Sequence, residues 1–291
     1  MILVLREELF AFVAILAFLA VSPATVTGHL GETVTCYLLT EPVTLDGKWT
    51  SNSEWKDAQE AQLLVADGTA VGYFRVKQDR TWLYVLAESL IDKDVEYNST
   101  TDNGEWMQVF LDTLHDDGKS PKTDDYQFGF LWVDATHIQI NIRKGTGTDW
   151  TRVDPIEGVE AKIGTDTGNS PHPPYPHVVG EARLPLSLIG IATFGFFIRF
   201  VDSSEVLTKW FYWPGLTLAD QGVDPSSWGN VAYSMEPIPE FSLTATRATQ
   251  EVMAMQPQTN LVLVGVIVII IAVVGAFTIR YRKKRRPAPD S

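Results

Sequence analysis

Residues 137–144 read HIQINIRK, with Ile138, Ile140 and Ile142 in one register and Gln139, Asn141 and Arg143 in the other. A period of two sends successive side chains to opposite sides of an extended chain. The stretch therefore predicts a strand with one face in a core and one in water, as in antiparallel sheets. Working outward, YQFGFLWVD (126–134), EWMQVFLDT (105–113), TWLYVLAES (81–89), AVGYFRVKQD (70–79) and FGFFIRFVD (194–202) are short runs rich in β-branched and aromatic residues. Gly, Asp, Asn or Pro separates many of them. No long amphipathic helix is evident, and LPLSLIG (184–190) predicts a single helical turn. GTDTGNSPHPPYPH (164–177) predicts a loop outside the sheets, because proline lacks the donor that a ladder needs. Many short strands with turn signals between them predict an all-β fold, a two-sheet antiparallel β-sandwich of jelly-roll or immunoglobulin-like layout.

Both ends of the chain address a membrane. LFAFVAILAFLAV (9–21), preceded by Arg6 and followed by Ser22 and Ala24, predicts a signal peptide over 1–24, although Glu7 and Glu8 depart from the usual positive start. LVLVGVIVIIIAVVGAFTI (261–279) is uncharged. At about 1.5 Å per residue it just spans a hydrocarbon core of about 30 Å. The RYRKKRR cluster behind it belongs on the cytoplasmic side. The expected order is signal peptide, ectodomain (25–243), stalk (244–260), transmembrane helix (261–279) and basic cytoplasmic tail (280–291), a single pass of the plasma membrane with the bulk outside. Between positions 25 and 260 lie 16 basic and 33 acidic residues, a net charge of −17. Such a surface repels phosphate backbones and argues against a nucleic-acid partner. Cys36 is the only cysteine, which leaves no intrachain disulfide and predicts an inert, buried thiol. The sequon Asn98-Ser99-Thr100 predicts a surface loop.

Five aspartates, Asp112, Asp116, Asp117, Asp124 and Asp125, crowd the segment between two predicted strands. As calcium ligands, carboxylates and loop carbonyls supply the about 6–8 oxygens such an ion takes. Only Asp117-Gly118 fits the D-x-[DN]-x-[DN]-G loop, however, with Thr113 and His115 at the preceding ligand positions. As a glycosidase pair, two carboxylates need a separation of about 5–9.5 Å and one raised pKa, which an exposed loop rarely provides. As a hairpin loop, Asp-Gly and Ser-Pro are ordinary turn residues, and charge there keeps hydrophobic strands from aggregating. Lys119 and Lys122 partly neutralise the segment. The motif mismatch favours the solvated turn. A structural calcium is the metal these five residues would hold, best at Asp112 and Asp125 on the strand ends.

The order of these segments is similar to that of family 9 carbohydrate-binding modules, a DOMON-like group. TLDGKWTSNSEWKDAQEA (44–61), with Asp46, Gly47, Trp55 and Ala58, resembles the opening signature of that family. Leu83-Tyr84-Val85 and Val109-Phe110-Leu111-Asp112 resemble two of its strands, Glu181 with Leu184-Pro185-Leu186 a later segment, and DPSSWGNV (224–231) fits the same pattern. The resemblance covers nearly the whole ectodomain. It implies a β-sandwich, binding of polysaccharide or glycan without catalysis, and often a structural calcium.

Pyranose rings stack on flat aromatic faces while polar groups read their hydroxyls. Trp150 beside the GTGTDW turn, Trp213 in KWFYWPG and Trp228 in DPSSWGN are the candidate platforms, with Trp210 beside them, because loop positions favour contacts over core. Plain packing is the competing role, and it is the expected one for Trp49, Trp55 and Trp82. His172 and His177 lie in an extended proline-rich spacing unlike a usual metal site. No G-x-S-x-G, H-E-x-x-H or P-loop occurs, so no enzyme activity is expected. Two rival functions come from other classes. A related sandwich binds haem for electron transfer through a methionine and a lysine, and Met107 and Lys209 exist here, but Met107 sits within a predicted strand and reads as a core filler. The other rival is a protein–protein module of an envelope complex.

Overall fold

The computed structural model describes residues 32–99, 103–190, 192–202, 209–214 and 224–239. The expected signal peptide, stalk, transmembrane helix and basic tail lie outside these residues, as does Thr100 of the sequon. Among the described residues no helix is long and apolar enough to cross a membrane. The chain divides into two units, Met1–Ile238 and Pro239–Ser291, and every described strand belongs to the first.

The alternating runs become strands in a long series: β1 (Thr33–Leu38), β2 (Gln59–Leu64), β3 (Ala70–Gln78), β4 (Trp82–Ser89), β5 (Tyr97–Asn98), β6 (Asn103–Gly104), β7 (Trp106–Asp112) and β8 (Asp125–Asp134). They continue as β9 (His137–Gly145), β10 (Trp150–Arg152), β11 (Glu160–Asp166), β12 (His177–Pro185), β13 (Phe194–Asp202), β14 (Lys209–Trp213) and β15 (Gly229–Tyr233). Apart from the small β5–β6 ladder, the hydrogen-bonded path is β10-β9-β8-β7-β13-β14-β2-β3-β4-β12-β11. It doubles over where β14 meets β2 through the single register pair Tyr212–Leu64. The first layer is β10-β9-β8-β7-β13 with β14 and β15, and the second is β11-β12-β4-β3-β2. β1 staples the fold line, running parallel to β15 over Thr33–Cys36 and to β3 at Tyr37–Leu38.

The layers face each other through the inward register of every run. Phe74 of β3 lies 5.7 Å from Phe196 of β13. A Cβ at Gly180 of β12 would meet Phe200 and the sulfur of Met107 at 3.0 and 3.1 Å. Met107, Val109 and Leu111 of β7, Phe128 and Phe130 of β8, and Phe194, Phe196, Ile198 and Phe200 of β13 all join this core. Each such side chain contributes roughly 1.5–3 kcal/mol of burial. Cys36 lies in the same core, where burial pushes its thiol well up, so it is an inert thiol.

Three local expectations are corrected. Gly164–Asp166 are the end of β11 and His177 the start of β12, so the proline-rich loop is shorter than its composition suggests. KWFYW is strand β14 rather than loop, paired with β13 along its length. The acidic aspartates do not all face solvent: Asp112 and Asp125 are direct partners across β7–β8 and each is only 1% exposed. LPLSLIG gives the single turn expected, a 3-10 turn over Leu186–Leu188.

Candidate functional site

The two outer faces of the sandwich carry the side chains that the core excludes. On the second layer these are Arg75, Lys77, Glu88 and Glu181, all buried because residues 39–58 roof them over. Trp49 and Trp55 are 0% exposed beneath this roof. The Trp55 indole donates to Glu181 Oε1 at 3.0 Å, and the backbone N–H groups of Asp46 and Gly47 donate to its other oxygen at 3.0 and 2.9 Å. The Trp49 indole donates to Glu88. Lys77 Nζ pairs with Asp57 at 2.7 Å and donates to the Glu41 carbonyl at 2.9 Å. Gly47, at φ +78°, approaches so closely that a Cβ would sit 2.7 Å from the Gly164 nitrogen. This face is closed, and its tryptophans pack as their position in the sequence predicts.

Among the described residues, no long segment roofs the outer face of the first layer as 39–58 roofs the second. Pairing across β13, β7, β8 and β9 brings Arg199, Gln108, Gly129 and Asn141 into one row. The adjacent row holds Trp210, Val201, Trp106, Leu131 and Gln139. Trp106 and Trp210 are thus two strands apart, about 10 Å between Cα atoms, with the small Val201 between them. Both are half-buried. A Cβ at Gly129 would sit 3.2 Å from the Trp106 ring, so glycine there lets the indole lie across β8. Arg199 stacks at 4.2 Å on Trp210 and 5.3 Å on Phe110, and its Nε donates to Gln108. Burial, then the charge of Arg143, pushes the Arg199 guanidinium down to about 9. Gln108, Gln139 and Asn141 are half-buried and Arg143 and Arg152 exposed. Amides both donate and accept, so flat indoles beside amides and guanidiniums suit a ligand with apolar ring faces and hydroxyl edges.

Of the three tryptophans singled out by sequence, the structure brings two together and sends the third elsewhere. Trp150 is half-buried at the edge of this face, 6.5 Å from Trp228 with the rings 9° from parallel and 6.0 Å from Phe110. Trp228 is fully buried beneath it, against Phe110 and Phe197, so it supports Trp150 rather than presenting a face. Trp213 is corrected outright: the alternation of β14 turns Trp210 and Tyr212 outward and Phe211 and Trp213 inward. Trp213 packs 4.9 Å from Phe74 and donates to Glu32 at 2.9 Å. The missed residues are Trp106, Gln108, Arg143 and Arg199. Their signal was the period-two register that marked HIQINIRK, applied to the neighbouring strands.

Trp150 pairs with Gly145 on this face, and in the neighbouring strands Asp125 pairs with Asp112 and Asp112 with Gly195. Carboxylate oxygens of Asp112, Asp124 and Asp125 all lie within 4.8 Å of one another. Asp112 accepts from the backbone N–H groups of His115 at 2.7 Å and Asp117 at 3.2 Å, which caps the turn. Asp125 accepts from Lys122 N at 2.5 Å, while its buried Oδ1 has no hydrogen-bond partner among the described residues. Burial pushes Asp125 up to about 8, and Asp112 and Asp124 add to this. Three oxygen donors with one buried oxygen unsatisfied fit a hard divalent cation such as calcium. Asp116 turns away to Lys122 at 2.8 Å, and Asp117 adopts φ +54° outside the trio.

Other candidate chemistry disperses. His172 stacks on Tyr73 at 3.9 Å and bonds Glu60 at 2.7 Å, whereas His177 faces the Pro174 carbonyl at 3.0 Å, so they do not form a shared metal site with each other. The Met107 sulfur is enclosed between the layers. A cleft of roughly 330 Å³ between β9 and β11, lined by Ile138, Ile140 and Lys162, carries no tryptophan. A second trio, Asp92, Glu105 and Asp202, is buried at the opposite strand ends, and both Glu105 oxygens lack a hydrogen-bond partner among the described residues. Burial and then its two acidic neighbours hold the Glu105 carboxyl far above its usual range.

No family model and no curated protein matches the chain. Among solved structures it is similar to a family 9 carbohydrate-binding module from Caldicellulosiruptor kristjanssonii in complex with glucose, at 19% identity and a TM-score of 0.49, over 72% of this chain and 98% of that one. The same module in complex with cellotriose matches at 19% identity and 0.49, over 70% and 95%.

Proposed function

We propose that this chain is a non-catalytic glycan-binding module held at the cell surface by a single membrane span. The observation that carries it is the row in which Trp106 and Trp210 flank Val201 beside Gln108, Asn141 and Arg199, on a face that no long segment among the described residues roofs. Two indoles about 10 Å apart at their Cα atoms suit stacking on successive sugar rings, and the amides suit their hydroxyls. The sequence resemblance to family 9 modules points the same way. The test is pull-down of the detergent-solubilised full chain on insoluble polysaccharides together with a glycan array. Retention on at least one glycan is expected; no binding to any, with and without calcium, sinks the proposal.

The membrane span and signal peptide belong to the same proposal and rest on the apolar runs at 9–21 and 261–279. Deleting 261–279 should release the protein from the membrane fraction into the medium. A structural calcium would be held by Asp112, Asp124 and Asp125, with the ion supplying the positive charge that these buried carboxylates lack. At a calcium concentration about 100 times Kd it would stabilise the fold by about 2.7 kcal/mol. Melting of the wild type should therefore rise with calcium. In Asp112→Asn/Asp125→Asn the rise should vanish, and an unchanged response in that variant rules the site out.

A further inference from the structure

We infer that the ligand of the open face is an anionic polysaccharide, bearing carboxylate or sulfate groups, and that Arg143 and Arg152 read its charge. The inference rests on the glycan-binding proposal and deepens it. Arg143 of β9 and Arg152 of β10 are direct partners across the ladder, and both are exposed. Like charges placed directly opposite each other on a sheet repel. Neither has an ion-pair partner among the described residues, although acidic side chains outnumber basic ones 33 to 16 between positions 25 and 260. In so acidic a domain, two adjacent guanidiniums left without carboxylates among the described residues form a local positive spot.

The spot is placed to act together with the stacking row. From Arg152 and Arg143 the ladder continues to Gln127 and Phe110, and the Arg199 guanidinium, lowered chiefly by burial and further by the charge of Arg143, lies over Phe110. A chain stacked on Trp106 and Trp210 would extend its substituents toward β9 and β10. There two planar guanidiniums offer the paired N–H geometry that carboxylate and sulfate accept. A neutral glycan would leave the repulsion between the two arginines uncompensated, whereas an anionic substituent between them removes it.

Binding of the full chain in detergent to carboxymethyl-cellulose and dextran sulfate, against hydroxyethyl-cellulose and dextran, at about 0.15 M salt, where long-range repulsion is screened beyond about 8 Å, tests the inference. The charged polymers should bind at least about tenfold more tightly. Arg143→Gln/Arg152→Gln should remove that preference, bringing charged-polymer affinity down to whatever level the same variant shows for the neutral polymers, and Lys93→Gln, an exposed cation elsewhere, should leave the preference as it is. Equal affinity for charged and neutral polymers overturns the inference and leaves the glycan-binding proposal standing. So does a charge preference that survives in the double variant, or that Lys93→Gln reduces to the same degree. Binding to none of the four polymers, with none on the glycan array, overturns both.

Discussion

The two outer faces of this sandwich are built from the same strand register, yet among the described residues one is roofed and the other is not. On the second layer, Trp49 and Trp55 arrive from the 39–58 segment and point their indole N–H groups at Glu88 and Glu181. On the first layer, Trp106 and Trp210 rise from the strands themselves and lie beside Gln108, Asn141 and Arg199. On the sealed face each buried charged group meets a partner from its own chain: Glu88 and Glu181 accept indole and backbone N–H groups, and Arg75 and Lys77 donate to carbonyls and carboxylates of the roof. An open face uses amides and guanidiniums, because it must satisfy water and ligand by turns. A tryptophan is therefore a lid or a platform according to what covers it, and the polar residues beneath it differ accordingly.

The largest test of this contrast is Trp55→Ala. Removing a fully buried indole costs about 3–5 kcal/mol, and it also takes one N–H from Glu181. Denaturant unfolding should show the loss, with glycan retention intact at temperatures where the variant is folded. Loss of retention by the folded variant would break the distinction between lid and platform. Next comes Trp210→Ala, which should weaken glycan binding by about 2 kcal/mol, the scale of an interface hot spot, with a smaller change in unfolding than Trp55→Ala. The reverse ordering would assign Trp210 to structure. A third test is one of pH. Burial pushes Glu181 up to about 8 although three N–H groups favour its charged form. The folded state then keeps a proton that the unfolded chain releases above its ordinary value of about 4.3. Stability should fall as pH rises from about 4 to about 8, by up to about 1.4 kcal/mol per pH unit, and be constant beyond. Glu181→Gln should remove its share of that slope in melting curves, and an identical slope in the variant would show that the carboxylate stays charged under its roof.

The strands that could be read from sequence were those whose inward register is strongly apolar. FGFFIRFVD and HIQINIRK carry enough branched and aromatic residues that the sheet period dominates. β2, QEAQLL, is polar, and β10 is only three residues long, so neither announces itself. KWFYW looked like a loop because Trp-Pro-Gly follows it, and that misplaced Trp213: one strand of period two necessarily puts Trp210 and Trp213 on opposite faces. The acidic segment showed which residues were charged but not that its end aspartates sit side by side in a ladder, which depends on register. The buried trio of Asp92, Glu105 and Asp202 joins positions over a hundred residues apart and left no local signature.

The parallel contact of β1 and β15 bears on how the domain withstands force. β15 is not an edge: it pairs with β1 over Thr33–Cys36 on one side and with β13 over Phe194–Phe196 on the other. If the proposed glycan site on the first layer holds a polymer, tension between it and the carboxyl-terminal side of the chain would run along β15 and load both ladders in shear. Bonds so loaded share the pull instead of opening one after another like a zip. Single-molecule pulling from the carboxyl-terminal side should give one abrupt rupture, and a gradual, low-force peeling would show that the clasp does not hold. A module that tethers a cell to a polymer would then be held most firmly along the direction in which the tether pulls.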